Sequence, residues 1–149
     1  MIFMVYSKKV MQCFKKPKNM GKMKNPDAVG KVGNIVCGDV MWVYIKIKNN
    51  KIKDIKFQTF GCVAAIATSS MVTEIAKGKT IEHALKIKKE SILKKLGGLP
   101  MIKIHCSMLA IDALHEAIYN YLNKNKQKIP KELEKNHEKI IKILNKIQH

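Results

Sequence analysis

The stretch from Val40 to Phe60 leaves little freedom in local structure. From Val40 to Lys48, Val43, Ile45 and Ile47 alternate with Trp42, Tyr44, Lys46 and Lys48. That is the two-residue period of a strand with one buried face. Asn49-Asn50 then supplies a hairpin turn. Ile52 to Phe60 returns with Ile55, Phe57 and Thr59 in alternation. Ile52 is out of phase with these, so a bulge is expected near Lys53-Asp54. Val32 to Cys37 reads as a further short strand.

Helical signals surround this hairpin. Ser7 caps a short helix, Lys8 to Phe14, with Val10, Met11 and Phe14 on one side and Pro17 as its stop. Lys18 to Gly33 reads as a loop punctuated by Asn, Gly and Pro. After the hairpin the composition changes: Ala64, Ala65, Ala67, Ser69 and Ser70 fall in a helix from Val63 to Lys77 that can approach a sheet closely. Gly78 ends it. Thr80 caps a helix running to about Ile87, and another covers Glu90 to Leu96, closed by Gly97-Gly98. Leu99-Pro100 opens an extended segment through Ile104. His105 to Leu122 is a long helix whose apolar face includes Met108, Leu109, Leu114, Ala117, Ile118 and Tyr121.

The order of elements predicts an α+β fold: a small antiparallel sheet of about three strands covered on one face by helices. Asn123 to Ile129 is a lysine-rich linker. Leu133, His137, Ile140, Ile141, Leu144 and Ile147 then repeat at helical spacing behind Pro130. The expected organisation is a domain over residues 1–122 and an amphipathic helical tail over 123–149. Such a tail can pack on its own domain, pair with a partner or lie on a membrane surface.

The 149 residues carry 29 Lys and no Arg against 11 acidic residues, a net charge of +18, yet 46% of them are hydrophobic. A chain this apolar is not a disordered polycation. Without Arg it lacks the usual bidentate reader of guanine, which argues against base-specific nucleic-acid binding. Apolar runs fall short of the ~18 residues that suggest a membrane-crossing helix. The apolar start from Met1 to Tyr6 lacks the basic region of a secretory signal. The expected setting is soluble and cytoplasmic.

The cysteines carry the chemistry. No two of Cys13, Cys37, Cys62 and Cys106 form a C-x-x-C pair, which excludes zinc-ribbon and thioredoxin patterns. Cys13 belongs to the apolar stripe of the first helix and reads as packing. The others stand at element boundaries: Cys37 before Gly38-Asp39, Cys62 after Phe60-Gly61, Cys106 after His105. A cysteine in the first turn of a helix feels the positive end of the helix dipole, which favours thiolate, the form that binds metal or accepts sulfur. If the elements converge, three soft sulfurs meet Asp39 and His105. His83 and His115 sit within helices and read as surface or core residues.

These residues resemble a known family, the IscU/NifU-type iron–sulfur cluster assembly scaffolds. The likeness is carried by Cys37-Gly38-Asp39-Val40-Met41, Thr59-Phe60-Gly61-Cys62, Ala65-Ile66-Ala67-Thr68-Ser69-Ser70 and Lys103-Ile104-His105-Cys106-Ser107-Met108-Leu109-Ala110. Tyr6-Ser7, Val10 and Pro17 resemble its opening helix and turn. The resemblance spans roughly Val5 to Leu122 and implies a SufE/NifU-like fold. It implies a scaffold on which a cysteine desulfurase and an iron donor build a [2Fe–2S] cluster, passed on to apo-protein recipients. Cys37, Cys62 and Cys106 would be thiolate ligands. Asp39 and His105 would be candidates for the fourth position, and Cys106 the acceptor of persulfide sulfur. The role is that of a carrier, not an enzyme. A zinc ion in the cluster-free site and a cluster shared between two copies of the chain are both compatible with it.

Leu99, Pro100, Met101, Ile102 and Lys103 resemble the segment recognised by an Hsp70-type chaperone, with Met101 where the family usually has a second proline. After Cys62 the family usually has Gly-Ser, and this chain has Val63-Ala64. The related SufU type, a zinc-dependent sulfur-transfer protein, carries an insertion between the second and third cysteines and Arg at the place of His105. It stands as the alternative, ahead of a basic nucleic-acid or membrane module.

Overall fold

The computed structural model describes residues 6–33 and 38–148. Its sheet has the strand order β1-β2-β3, with β1 at Ala28–Gly33, β2 at Val40–Lys48 and β3 at Lys51–Phe60. Both pairings are antiparallel. The hairpin is as the pattern predicts, with Asn49 and Asn50 at φ of 53° and 61°. The register shifts after Lys46↔Asp54 to Ile47↔Ile52, so Lys53 is the extra residue. This bulge turns Ile52 inward, where it is fully buried with Val43, Ile45, Ile55 and Phe57.

The first strand corrects the sequence reading. It begins at Ala28, inside the stretch expected to be loop, and its described part ends at Gly33. Gly30 explains why the pattern misleads. A Cβ there would lie 2.2 Å from the carbonyl oxygen of Ala113 and 2.3 Å from the amide nitrogen of Ala117. Glycine is in this strand because a helix backbone rests on it, a reason no local pattern encodes.

Helices cover the apolar face of the sheet. Helix α1 (Lys8–Lys15) starts at Ser7, whose hydroxyl accepts from the Val10 amide at 3.1 Å and donates to the Leu96 carbonyl. Helix α2 (Val63–Ala76) follows Cys62, α3 (Ile81–Leu85) follows the Thr80 cap, and α4 (Lys89–Leu96) ends at Gly97. Helix α5 (His105–Lys124) runs across β1 and β2 and packs on α2. The segment expected to be extended before α5 is instead a 3-10 turn at Met101–Lys103. The Lys103 amide bonds the Pro100 carbonyl at 2.8 Å, using the backbone groups that an isolated extended connector would leave to water.

Helix α6 (Lys131–Gln148) settles one of the alternatives: it packs on α5 and on the edge strand β1. Leu133 and Ile140 are buried, and Leu144 packs against the same core. The seam is also polar. Glu116 on α5, 3% exposed, bonds His137, whose ring stacks on Tyr119 at 3.8 Å between centroids. The Asn136 amide donates to Asp112 at 3.2 Å. Burial pushes both the Glu116 and Asp112 carboxyls up, against the opposing pull of His137 on the first and of Asn136 on the second. A carboxyl raised by folding favours the folded state most when protonated. That contribution is full below the ordinary carboxylate range and is lost as pH rises through the raised value.

Two outcomes follow from this packing. Gly30→Ala lowers the free energy of unfolding by at least about 2 kcal/mol in urea titration, because backbone on both sides must move. Glu116→Gln removes the titration of Glu116 from the seam and leaves that of Asp112. The stability of the unsubstituted chain, measured relative to this variant, falls as pH rises above the ordinary carboxylate range. Parallel stability profiles for the two proteins would contradict the assignment.

Candidate functional site

Cys62 is the N-cap of α2, in extended conformation with φ −81° and ψ −179°, and Cys106 is the second residue of α5. Two helix starts therefore place their positive ends beside two sulfurs. The Sγ atoms lie 3.8 Å apart. Two thiolates bound tetrahedrally to one metal at about 2.3 Å each are separated by about 3.8 Å, so the pair already has the spacing of co-ligands. Cys62 is partly exposed and Cys106 is buried.

Asp39 completes the group. Its carboxylate oxygen and the two sulfurs all lie within 4.8 Å of one another. Asp39 is 8% exposed, and its Oδ2 is buried without a hydrogen-bond partner among the described residues. An ionised oxygen in that state is costly unless a cation meets it. Gly61 permits the approach. A Cβ there would lie 2.7 Å from that of Ala65 and 3.3 Å from Cγ of Asp39. Thr59, just before, donates to the carbonyl of Val40 at 2.8 Å and ties the end of β3 to the start of β2.

The remaining expected residues fall as follows. His105 Nε2 is 3.6 Å from Cys106 Sγ, beside the group but outside the Asp39–Cys62–Cys106 set. Cys37 lies outside the described residues, two positions before Asp39. Cys13 is buried in the core, its thiol pushed up by burial, and takes no part. His115 bonds the carbonyl of Ala84 at 3.1 Å and burial pushes its pKa down, while His83 is exposed. Both therefore match their reading as ordinary core and surface residues.

Lys103 has a place that its sequence context did not signal. The charge of Cys62 raises its ammonium, with Cys106 and Tyr6 adding to the effect against the cost of burial. Tyr6 is raised first by its own burial and then by Cys62. The signal lies in the turn: the 3-10 geometry at Met101–Lys103 brings Lys103 back toward the helix start that follows it. Met101, in the same turn, is 88% exposed.

Residues 5–128 match the family described as the NifU-like N terminal domain. The chain belongs to this family. It is 62% identical over 121 residues to iron-sulfur cluster assembly scaffold protein IscU 1 of Archaeoglobus fulgidus, covering 81% of this chain and 79% of that protein. It is 47% identical to the IscU scaffold protein of Aquifex aeolicus, over 80% of this chain and 77% of the other. Among solved structures, the N-terminal NifU-like protein of Brucella abortus superposes with a TM-score of 0.63 at 21% identity, over 79% of this chain and 94% of that one. A putative SUF-system scaffold protein from Fervidobacterium islandicum superposes at 0.60 with 25% identity, over 76% and 96%. The NifU-like assignment confirms the α+β fold and the family resemblance. Helix α6 begins beyond the matched residues.

Proposed function

We propose that this NifU-like chain is a scaffold on which a [2Fe–2S] cluster is assembled and from which it passes to recipient apo-proteins. The observation that carries this reading is the Asp39–Cys62–Cys106 group with its orphaned carboxylate oxygen. Iron–sulfur clusters are held mainly by thiolates. Cys62 and Cys106 supply two, and Cys37, two residues before Asp39, is the third. Asp39 is favoured as the fourth ligand, with His105 able to replace it at another stage of assembly. A carboxylate or imidazole in the fourth place makes the cluster easier to release than four thiolates would. That suits a carrier better than a permanent redox centre.

Cys106 is the acceptor of sulfur from a cysteine desulfurase. Its thiolate attacks the outer sulfur of the donor's persulfide, one S–S bond forms as another breaks, and the donor leaves as thiolate. Lys103 stands where it can balance the anionic sulfur. Conversion of that sulfane sulfur to sulfide takes two electrons from a reductant outside this chain, and the iron comes from an iron donor. Leu99, Pro100, Met101, Ile102 and Lys103 form the segment offered to an Hsp70-type chaperone, and the exposure of Met101 supports this. The setting is cytoplasmic; among the described residues no helix is long and apolar enough to cross a membrane.

One observation favours a second reading. The sulfur spacing also suits tetrahedral zinc, which would make the chain a SufU-like sulfur-transfer protein. Anaerobic incubation with ferrous iron, cysteine, a cysteine desulfurase and a dithiol reductant separates the two. The scaffold reading expects a [2Fe–2S] chromophore that moves to an apo-ferredoxin, survives Cys13→Ser and is lost in Cys37→Ser, Cys62→Ser and Cys106→Ser. A tightly retained zinc with no chromophore would favour sulfur relay instead.

A further inference from the structure

Helix α2 carries a column of hydroxyls shut away from water: Thr68, Ser69, Ser70 and Thr73 are each no more than 1% exposed. A buried hydroxyl is costly unless bonded. Three of them bond their own helix, Thr68 to the Ala64 carbonyl at 2.7 Å, Ser69 to Ala65 at 2.7 Å and Thr73 to Ser70 at 2.9 Å. Alanine at these positions would spare the helix both the burial cost and the bond. The hydroxyls share something else: each has a contact on another element. Ser70 accepts from the Lys18 amide at 2.8 Å, and Thr73 accepts from the Asn19 side chain at 3.2 Å. Those two tie α2 to the loop after α1. Ser69 reaches Met41 Sδ on β2 at 2.9 Å, and Thr68 reaches the carbonyl oxygen of Cys106 on α5 at 3.2 Å.

We infer that Thr68 is a positioning residue for the cluster site, its hydroxyl donating to the Ala64 carbonyl at 2.7 Å and lying 3.2 Å from the carbonyls of both Ala65 on α2 and Cys106 on α5. The inference rests on the scaffold reading and deepens it. Helix α2 starts at Cys62 and α5 starts one residue before Cys106. A tie between the two helices at Cys106 itself therefore sets the sulfur of one helix start against that of the other. Ser107 secures the same turn from the α5 side by donating to the Ile104 carbonyl at 2.7 Å. Valine at 68 keeps the volume but presents carbon to all three carbonyl oxygens. The first turn of α5 then loses its fixed setting toward α2. Loss of such a supporting contact around a metal site typically costs 10–100-fold in affinity.

Anaerobic cobalt(II) titration reads this directly through the thiolate-to-cobalt charge-transfer band. The proteins compared are the unsubstituted chain, Thr68→Val, Thr68→Ser and Ser70→Ala. Ser70→Ala deletes a hydroxyl from the same helix that faces Lys18 and not the site. The expected result is that Thr68→Val weakens cobalt binding about 10–100-fold and alters the band. Thr68→Ser restores both, and Ser70→Ala binds cobalt normally even where urea denaturation shows it destabilised as much as Thr68→Val. The inference is overturned if Thr68→Val binds cobalt with unchanged affinity and band, or if Ser70→Ala weakens binding in parallel with it. Absence of any thiolate band in the unsubstituted chain would instead overturn the scaffold reading itself, and the role of Thr68 with it.

Discussion

Close backbone approach between α2, α5 and β1 is the constraint from which the site follows. Helix α2 presents Ala64, Ala65, Ala67, Thr68 and Ser69 to the interior, with no side chain among them larger than threonine. On α5, Ala113 and Ala117 lie against Gly30, where even one methyl has no room. Small residues on both helices let two helix starts end side by side, and each start carries a sulfur. The 3.8 Å between Cys62 and Cys106 is therefore a packing distance before it is a chemical one. The cost of this design is buried polarity, in the α2 hydroxyls and in an Asp39 oxygen that lacks a partner among the described residues.

Charge plays a smaller part at the site than the +18 of the sequence suggests. Most lysines lie on exposed faces of helices and loops, where screening leaves them weak influence on the buried group. Lys103 is different because the turn before α5 brings it beside the sulfurs. Helix α6, which begins past the residues matched to the family, is joined to the core by buried Leu133 and Ile140 and by the His137–Glu116 bond. It also packs against β1, the strand at one edge of the sheet.

The elements legible in the sequence were those whose reasons are local. The hairpin, its bulge at Lys53, the Ser7 and Thr80 caps and the Gly97 stop follow from side-chain alternation and turn chemistry within a few residues. What escaped has tertiary causes. Strand β1 is masked by Gly30, whose role is contact with α5. The 3-10 turn at Met101–Lys103 looks extended until its amides find Pro100 and Met101. His137 sat in an apolar stripe, and only the buried Glu116 opposite explains it. At the site, the motifs pointed to Asp39, Cys62 and Cys106, but spacing in sequence could not show that Asp39 Oδ2 has no partner among the described residues or that Thr68 reaches Cys106.

The central claim is that one cluster is held where Asp39, Cys62 and Cys106 meet. A crystal structure of the anaerobically loaded chain tests it most directly. The account predicts iron bound by the sulfurs of Cys62 and Cys106, with Cys37 as the third thiolate and Asp39 in the fourth place. Iron found away from this group, or bound there with neither Asp39 nor His105 among its ligands, would contradict it.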